Sequence, residues 1–222
     1  MHKKVLFFCS EGLPYIVGLL AGGLAISFYS FLFTDLIIFS VILWLLFFVV
    51  AYFFRDPERK IANKPETIVS PADGKVIDIK STQELSFLGQ ECQQISIFMS
   101  IFSVHVNRAP ISGVIEYYQY NPGKFVSAFK EKASLDNEQV LIGINSKGVE
   151  KSEYKILVKL IAGLIARRIV LWKKKGDSLN KGERMSIIKF GSRVEVYLPT
   201  EVKLKIKKGD WVKAGETIIG LI

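Results

Sequence analysis

Two long apolar segments open the chain. No charged residue occurs in residues 12–34 or 36–54, and only Asp35 separates the two segments. Each segment is long enough to cross the hydrocarbon core of a bilayer as a helix, at about 1.5 Å per residue. The pattern therefore predicts an N-terminal transmembrane helical hairpin, with helices at about 13–34 and 36–54, inside a membrane anchor that covers residues 1–60.

The charges that flank the apolar segments indicate an orientation. Basic residues lie at both outer ends of the hairpin: Lys3, Lys4, Arg55, Arg59 and Lys60. The positive-inside bias places both ends, and everything that follows, in the cytoplasm, at the cell (inner) membrane. A hairpin that dips into one leaflet fits the same pattern. A cleaved signal peptide fits poorly, because the apolar stretch is too long and no cleavage site precedes a polar segment.

Beyond residue 60 the pattern changes to short runs rich in Val and Ile, punctuated by Gly, Pro and Asp. Such spacing predicts a mainly β, barrel-like domain over residues 61–222. The runs most typical of strands are 75–79, 94–99, 113–118, 139–144, 154–161, 193–198 and 201–206. Short helices are expected only at 124–133 and 162–171, where apolar residues follow a helical period.

One internal repeat supports this fold class. Residues 176–183 and 209–216 share the pattern Gly-Asp-x-apolar-x-x-Gly-Glu. Each unit reads as a turn, a short strand and a second turn, because glycine supplies the positive φ that such turns need. The pattern resembles the hairpins of biotinyl- and lipoyl-carrier domains and of membrane-fusion adaptors, and it is a signal of fold rather than of function.

Composition narrows the choice of partners. The net charge is +9, of which residues 61–222 carry +8, so the domain should be attracted to an anionic membrane. No nucleic-acid-binding motif accompanies this charge, and we expect no nucleic acid partner. The cysteines, Cys9 and Cys92, show neither metal spacing nor a disulfide framework, and with only His2 and His105 as histidines no metal site is predicted.

Three short runs carry residues capable of chemistry. Asp73 lies in a tight turn before a strand, His105 lies at the end of a strand, and Ser192 follows Gly191 inside a strand-like run. Taken singly, each has a simpler structural explanation: a turn residue, a packed histidine and a β-bulge. Together they supply the residue types of an Asp-His-Ser arrangement, although sequence does not establish that they meet in space.

These runs belong to a wider resemblance. The matching segments are 53–57, 70–74, 102–110, 161–163, 167–169, 182–184 and 190–194. In this order they resemble the phosphatidylserine decarboxylase proenzyme family of the short, prokaryotic-type class. The runs around His105 and Gly191-Ser192 are the most specific. Residues 136–140 match the family only in part, and we expect no catalytic role there.

The resemblance implies a self-processing, pyruvoyl-dependent enzyme. Ser192 would attack the carbonyl of Gly191, with His105 as the base and Asp73 holding its ring. Cleavage would leave a β chain of residues 1–191 and an α chain of residues 192–222, paired as a heterodimer that could assemble further. The pyruvoyl group derived from Ser192 would form a Schiff base with phosphatidylserine and release CO2, leaving phosphatidylethanolamine.

Two other classes of protein share some of these features. A non-enzymatic membrane-fusion adaptor or carrier-like domain would explain the anchor and the repeat, but it leaves His105 and the Gly191-Ser192 pair without a purpose. A serine hydrolase would use the same three residue types. It would, however, be expected to carry a Gly-x-Ser-x-Gly elbow, and Ser192 is not in one.

Overall fold

The structure is a computed structural model that describes residues 4–5, 7–31, 33–62, 64–123, 136–146, 153–163, 168–189 and 192–222. The chain divides into two compact units, of which the first ends at Pro57 and the second runs from Glu58 to Ile222. We call them the helical unit and the catalytic unit.

The helical unit is an apolar hairpin. Helix α1 spans Leu13–Ser30 and helix α2 spans Ile37–Phe53, each preceded by a short 3-10 turn, at Ser10–Gly12 and Thr34–Leu36. Both are long and apolar enough to cross a membrane. Their polar side chains pair with each other: Ser27 Oγ lies 2.7 Å from Ser40 Oγ and accepts a hydrogen bond from Trp44 Nε1 at 3.0 Å. Such pairing satisfies groups that lipid cannot hydrogen-bond.

The rest of the described chain is built from strands. In the helical unit, β1 (Lys4–Val5) pairs with β2 (Phe8–Cys9). The strands of the catalytic unit are β3 (Thr67–Val69), β4 (Gly74–Glu84), β5 (Gln90–Met99), β6 (Val106–Arg108), β7 (Gly113–Asn121), β8 (Gln139–Asn145), β9 (Lys155–Ala162), β10 (Ile169–Leu171), β11 (Ser178–Leu179), β12 (Arg184–Ile188), β13 (Ser192–Pro199), β14 (Lys203–Leu204), β15 (Trp211–Val212) and β16 (Ile218–Leu221).

The largest sheet among the described residues curls into a half-barrel, with the strand order β11-β7-β8-β9-β13-β5-β4-β15. Its inner face is a continuous core of Ile, Val and Leu that includes Ile97, Leu160 and Val194. Strand β13 lies in the middle and pairs antiparallel with β5 on one side and β9 on the other. The prediction of a mainly β domain preceded by an apolar helical hairpin is confirmed.

The internal repeat has the predicted form. Gly176, Gly182, Gly209 and Gly215 all adopt positive φ, and a two-residue strand, β11 or β15, lies inside each unit. Glycine is favoured there because a Cβ atom clashes with the backbone in this region.

The structural repeat is larger than the sequence pattern. Gly182 N–H donates to Ala109 O and Gly215 N–H donates to Ser70 O, each at 2.8 Å. Residues 109–115 therefore match residues 70–76, and the equivalence extends to side chains. Ser112 Oγ accepts from Lys181 N at 3.0 Å, and Asp73 Oδ1 accepts from Ala214 N at 2.7 Å.

The helix predicted at 162–171 is wrong, because the described residues at both of its ends belong to strands. Ala162 closes β9 and Ile169–Leu171 forms β10, which pairs with β12 through Ile169↔Ile188. The apolar spacing that favoured a helix instead reflects β-branched residues packed against another strand. The helix expected at 124–133 lies outside the described residues.

Gly74 gives a test of the tight packing beside Asp73. A Cβ atom at Gly74 would lie 2.2 Å from Phe98 O, a backbone atom that cannot move aside. We expect Gly74→Ala to lower the free energy of unfolding by about 3 kcal/mol or more. The control is Gly89→Ala, where φ is +70° and no atom lies within 4 Å, so only backbone strain of about 1 kcal/mol is expected. Denaturant unfolding of the solubilised protein measures both, and equal losses would contradict the packing.

Candidate active site

Ser192 is the first residue of the central strand β13. Across the sheet it is paired with Met99, the last residue of β5, and with Ala162, the last residue of β9. The residue is fully buried, and its Oγ donates to Met99 Sδ at 3.3 Å. A thioether is a weak acceptor, so this contact positions the hydroxyl without binding its proton strongly. Gly191, the other half of the predicted cleavage site, lies outside the described residues.

His105 is buried just before β6. Its Nδ1 lies 3.0 Å from Ser103 O. A carbonyl only accepts, so Nδ1 carries the proton in this hydrogen bond. In the neutral ring Nε2 is then the basic nitrogen, which is the state that a general base requires. Sequence reasoning missed the backbone of Ser103, and nothing in the residue types around it signalled this contact.

A backbone hydrogen bond joins His105 to the end of β12, the strand that precedes Ser192 in the chain. Ile188, the last residue of β12, donates its N–H to His105 O at 3.4 Å. Ile188 and Ser192 are four residues apart, so their Cα atoms lie within about 15 Å. On the other side, the five residues 100–104 link His105 to Met99, the partner of Ser192. Chain connectivity therefore keeps His105 near the end of the largest sheet at which Ser192 lies.

Asp73 holds a turn together. Its Oδ2 accepts from Arg59 Nη2 at 2.7 Å and its Oδ1 accepts from Ala214 N at 2.7 Å, in a largely buried ion pair. Arg59 also lies 3.6 Å from Glu216. The equivalent position in the other repeat, Ser112, makes the same backbone contact. These contacts give Asp73 a structural role, and its predicted role behind His105 stays a prediction.

Two further polar residues support the strand opposite Ser192. Asn137 Nδ2 donates to Ala162 O at 2.7 Å, and Ala162 N donates to Glu138 O at 2.9 Å. Glu138 is buried, and one of its carboxylate oxygens accepts from Ile169 N at 3.4 Å. These hydrogen bonds with Asn137 and Glu138 hold Ala162 in register with Ser192. This positioning function was not visible in the sequence because it depends on pairing between β9 and β13.

A buried network of charges extends along β13 beyond Ser192. Arg193 Nη2 donates to Ser96 Oγ and pairs with Glu195, both at 2.9 Å, and Tyr197 OH donates to Glu195 at 2.8 Å. Lys159 lies 4.0 Å from Glu195. Burial lowers the pKa of Lys159, whereas burial and the Glu195 charge raise the pKa of Tyr197. The network joins β13 to both neighbouring strands.

Among the described residues, no cluster of three or more His, Cys, Asp or Glu side chains could hold a metal ion. The candidate residues Ser192 and His105 supply a buried hydroxyl and a buried imidazole, the group types of a nucleophile and a general base.

Comparison with known proteins identifies the family. The family model described as phosphatidylserine decarboxylase matches residues 46–220. A phosphatidylserine decarboxylase proenzyme of Carboxydothermus hydrogenoformans is 43% identical, over 99% of each chain. A proenzyme of the same name from Geotalea uraniireducens is 41% identical over 100% of each chain. Another, from Desulfotalea psychrophila, is 48% identical over 77% of this chain and 78% of the relative.

These comparisons define an enzyme of the carboxy-lyase class. The chain belongs to the phosphatidylserine decarboxylase family. The adaptor-like and hydrolase alternatives are set aside by this result.

Proposed function

We propose that this chain decarboxylates phosphatidylserine to phosphatidylethanolamine and CO2, after cleaving itself between Gly191 and Ser192. The observation that carries the proposal is the position of Ser192. It is a buried hydroxyl at the first residue of a strand paired on both sides, with His105 tied to the strand that precedes it. Fixed neighbours of this kind provide the orientation that an intramolecular attack requires.

Self-cleavage follows from the groups of the chain itself. His105 Nε2 takes the proton of the Ser192 hydroxyl, and the oxygen adds to the Gly191 carbonyl. The peptide bond becomes an ester and the Ser192 amine is freed. Removal of the Ser192 α-proton then expels the Gly191 carboxylate, and water converts the remaining dehydroalanine to a pyruvoyl group and ammonia.

The residues present fit a pyruvoyl group at position 192. The side chain is surrounded by the apolar core face and a thioether, so a reactive carbonyl there would be protected from bulk water. When formed, the group supplies a carbonyl for the substrate amine and an acceptor for the electrons left by CO2. His105 lies at the same end of the sheet and is our candidate to return a proton to the substrate carbon.

Strand pairing would keep the two product chains together. After cleavage, β13 belongs to the α chain (192–222), while β5 and β9 belong to the β chain (1–191). The Arg193–Ser96 hydrogen bond and the Lys159–Glu195 pair would also cross between chains. We therefore propose a stable heterodimer, with scope for higher assembly.

The setting of the reaction is part of the proposal. We propose that the helical unit anchors the enzyme in the cell (inner) membrane, with the catalytic unit on the cytoplasmic side. Lysines of the catalytic unit would favour an anionic lipid. The candidates are Lys173, Lys174, Lys175, Lys203, Lys205, Lys207 and Lys208. Of these, Lys173 pairs with Glu183, and Lys208 lies 3.6 Å from Asp78.

A carboxyl-labelled substrate tests the activity directly. The purified chain, reconstituted in vesicles that contain phosphatidylserine labelled at the serine carboxyl, should release labelled CO2 and leave phosphatidylethanolamine. Release of serine or fatty acid without CO2 would indicate a hydrolase and would contradict the proposal.

The proposed role of Asp73 can be separated from its structural contacts. Asp73→Asn keeps an oxygen for Ala214 N–H but loses the charge paired with Arg59, and Arg59→Met removes the other half of the pair. Each should cost about 3 kcal/mol of unfolding free energy, because a largely buried charge loses its partner. If Asp73 also orients His105, Asp73→Asn slows cleavage far more than Arg59→Met. The cleavage rate is measured by gel densitometry during expression. Equal slowing of cleavage in the two variants would show that Asp73 only stabilises the turn.

A further inference from the structure

The end of the sheet at which Ser192 lies can be traced across its strands. One row of directly paired residues crosses seven strands, one residue along from Ser192: Asn121, Gln139, Ile161, Arg193, Phe98, Lys75 and Trp211. Neighbouring strands are about 4.8 Å apart. Trp211 is therefore about three strand spacings, roughly 14 Å, from the backbone of the residue that follows Ser192.

A turn with an apolar tip projects from this end. Ser103 N donates to Ser100 O at 2.9 Å and Phe102 N donates to Ser100 Oγ at 3.3 Å, which places Ile101 and Phe102 at the tip. Ile101 is 47% exposed and Phe102 is 68% exposed. The turn begins directly after Met99, the partner of Ser192, and ends at Ser103, whose carbonyl holds His105. The apolar tip therefore lies in the chain between Met99, which pairs with Ser192, and Ser103, which hydrogen-bonds His105.

The internal repeat indicates that Trp211 is not there for the fold. Trp211 is 70% exposed and pairs with Lys75 at the sheet edge. Its equivalent in the other repeat, at the opposite end of the sheet, is the small polar residue Ser178, paired with Val114. The same turn and strand therefore form without an aromatic residue, and an indole left in water has to be explained by something outside the strand pairing.

The two ends of the sheet differ in their exposed apolar side chains. Tyr120, on β7, joins Ile101, Phe102 and Trp211 near the row that follows Ser192. At the opposite end, among described residues of the catalytic unit, the large exposed apolar side chain is Leu85, in the turn between β4 and β5. Exposed apolar patches of this kind mark contact surfaces.

We propose that Ile101, Phe102, Tyr120 and Trp211, here called the apolar rim, enter the interface of a lipid bilayer. Phe102 reaches the acyl chains and Trp211 lies at the level of the headgroups, the depth that tryptophan prefers. The exposed Lys75 beside Trp211 adds attraction to anionic headgroups. A bilayer is favoured as the partner because the same chain carries two helices apolar enough to span one. This inference rests on the proposed function, since it would bring Ser192 to the plane of a lipid headgroup.

Site-specific fluorescence tests the inference without relying on activity. Phe102→Cys is labelled with an environment-sensitive fluorophore in the full chain, and Leu85→Cys is the matched control at the opposite end of the sheet. The native thiols are suited to this design: Cys9 and Cys92 are buried, and burial together with the charges of Glu84 and Glu91 raises the pKa of Cys92 to about 11.

The labelled proteins are reconstituted in phosphatidylserine–phosphatidylcholine vesicles whose phosphatidylcholine carries brominated acyl chains. The label at position 102 should be quenched several-fold more strongly than the label at position 85. Equal quenching of the two labels would contradict the proposal that the apolar rim enters the bilayer. The fluorescence measurement is repeated in the Ser192→Ala background, in which neither cleavage nor catalysis is expected. Membrane contact of the apolar rim can then be tested even if the proposed function is wrong.

Kinetics provide a second, independent readout. The double variant Phe102→Ser, Trp211→Ser places at position 211 the residue found in the other repeat. Its kcat/KM on bilayer phosphatidylserine, divided by its kcat/KM on a monomeric short-chain phosphatidylserine, should fall about tenfold or more, as expected for two apolar side chains removed from lipid. Leu85→Ser should leave this ratio unchanged. An unchanged ratio in the double variant would contradict the proposal. Folding is checked by circular dichroism, and the single Trp211→Ser variant replaces the double variant if the latter unfolds.

Discussion

Ser192→Ala is expected to leave the chain as one polypeptide of 222 residues and to abolish decarboxylation. The hydroxyl is the only group that the substitution removes, and the residue is buried with its neighbours Met99 and Ala162 fixed by strand pairing. Alanine fits this space, so the sheet should form as before. Without the hydroxyl there is no attack on Gly191 and no pyruvoyl group.

Denaturing gel electrophoresis and intact mass spectrometry measure this outcome, and the labelled-CO2 assay measures the loss of activity. The matched control is Ser146→Ala. Ser146 is also buried, and its hydroxyl accepts from Tyr154 N at 2.7 Å, but it lies just beyond Asn145, at the opposite end of the sheet. That variant should cleave like the wild type. Cleaved, active Ser192→Ala protein would remove Ser192 from the mechanism.

His105→Ala is expected to slow self-cleavage by about 100-fold or more, the contribution typical of a general base. The hydrogen bond from Nδ1 to Ser103 O leaves Nε2 as the basic nitrogen, and the backbone contact with Ile188 ties the residue to the strand before Ser192. Pulse-chase expression followed by gel electrophoresis gives the cleavage rate. Substituting the buried ring should also leave a cavity of its own shape, so added imidazole should restore part of the rate.

The chain contains one other histidine, His2, which offers a matched control. His2→Ala should cleave at the wild-type rate, with or without imidazole. If His105→Ala cleaved as fast as His2→Ala, the base would have to be sought elsewhere at this end of the sheet, and the buried carboxylate of Glu138 would be the next residue to substitute.

Much of the fold follows from local pattern. Short runs rich in Val and Ile predicted the longer strands of the half-barrel, and two uncharged segments predicted the helices α1 and α2. The paired Gly-Asp-x-apolar-x-x-Gly-Glu units predicted the turns because their glycines are needed at positive φ. The helix expected at 162–171 failed because apolar spacing over so few residues does not distinguish a helix from a strand paired with a distant partner.

The site was less accessible to sequence reasoning. Ser192 and His105 could be singled out by residue type and resemblance, but their neighbours come from pairings across 30 to 93 residues, as between Ser192 and Ala162 or Met99. The contact that orients His105 comes from a backbone carbonyl, which carries no residue-type signal. Asp73 shows the opposite case, since its residue type fits a triad while its observed contacts hold a turn.

Ser192 is consumed to make the enzyme in the proposed mechanism, and intact mass spectrometry of active, membrane-bound wild-type protein can detect this. Self-cleavage predicts two chains, residues 1–191 and a 31-residue chain from position 192 to Ile222, the smaller beginning with a pyruvoyl group in place of Ser192. A single uncleaved chain in fully active material would contradict it.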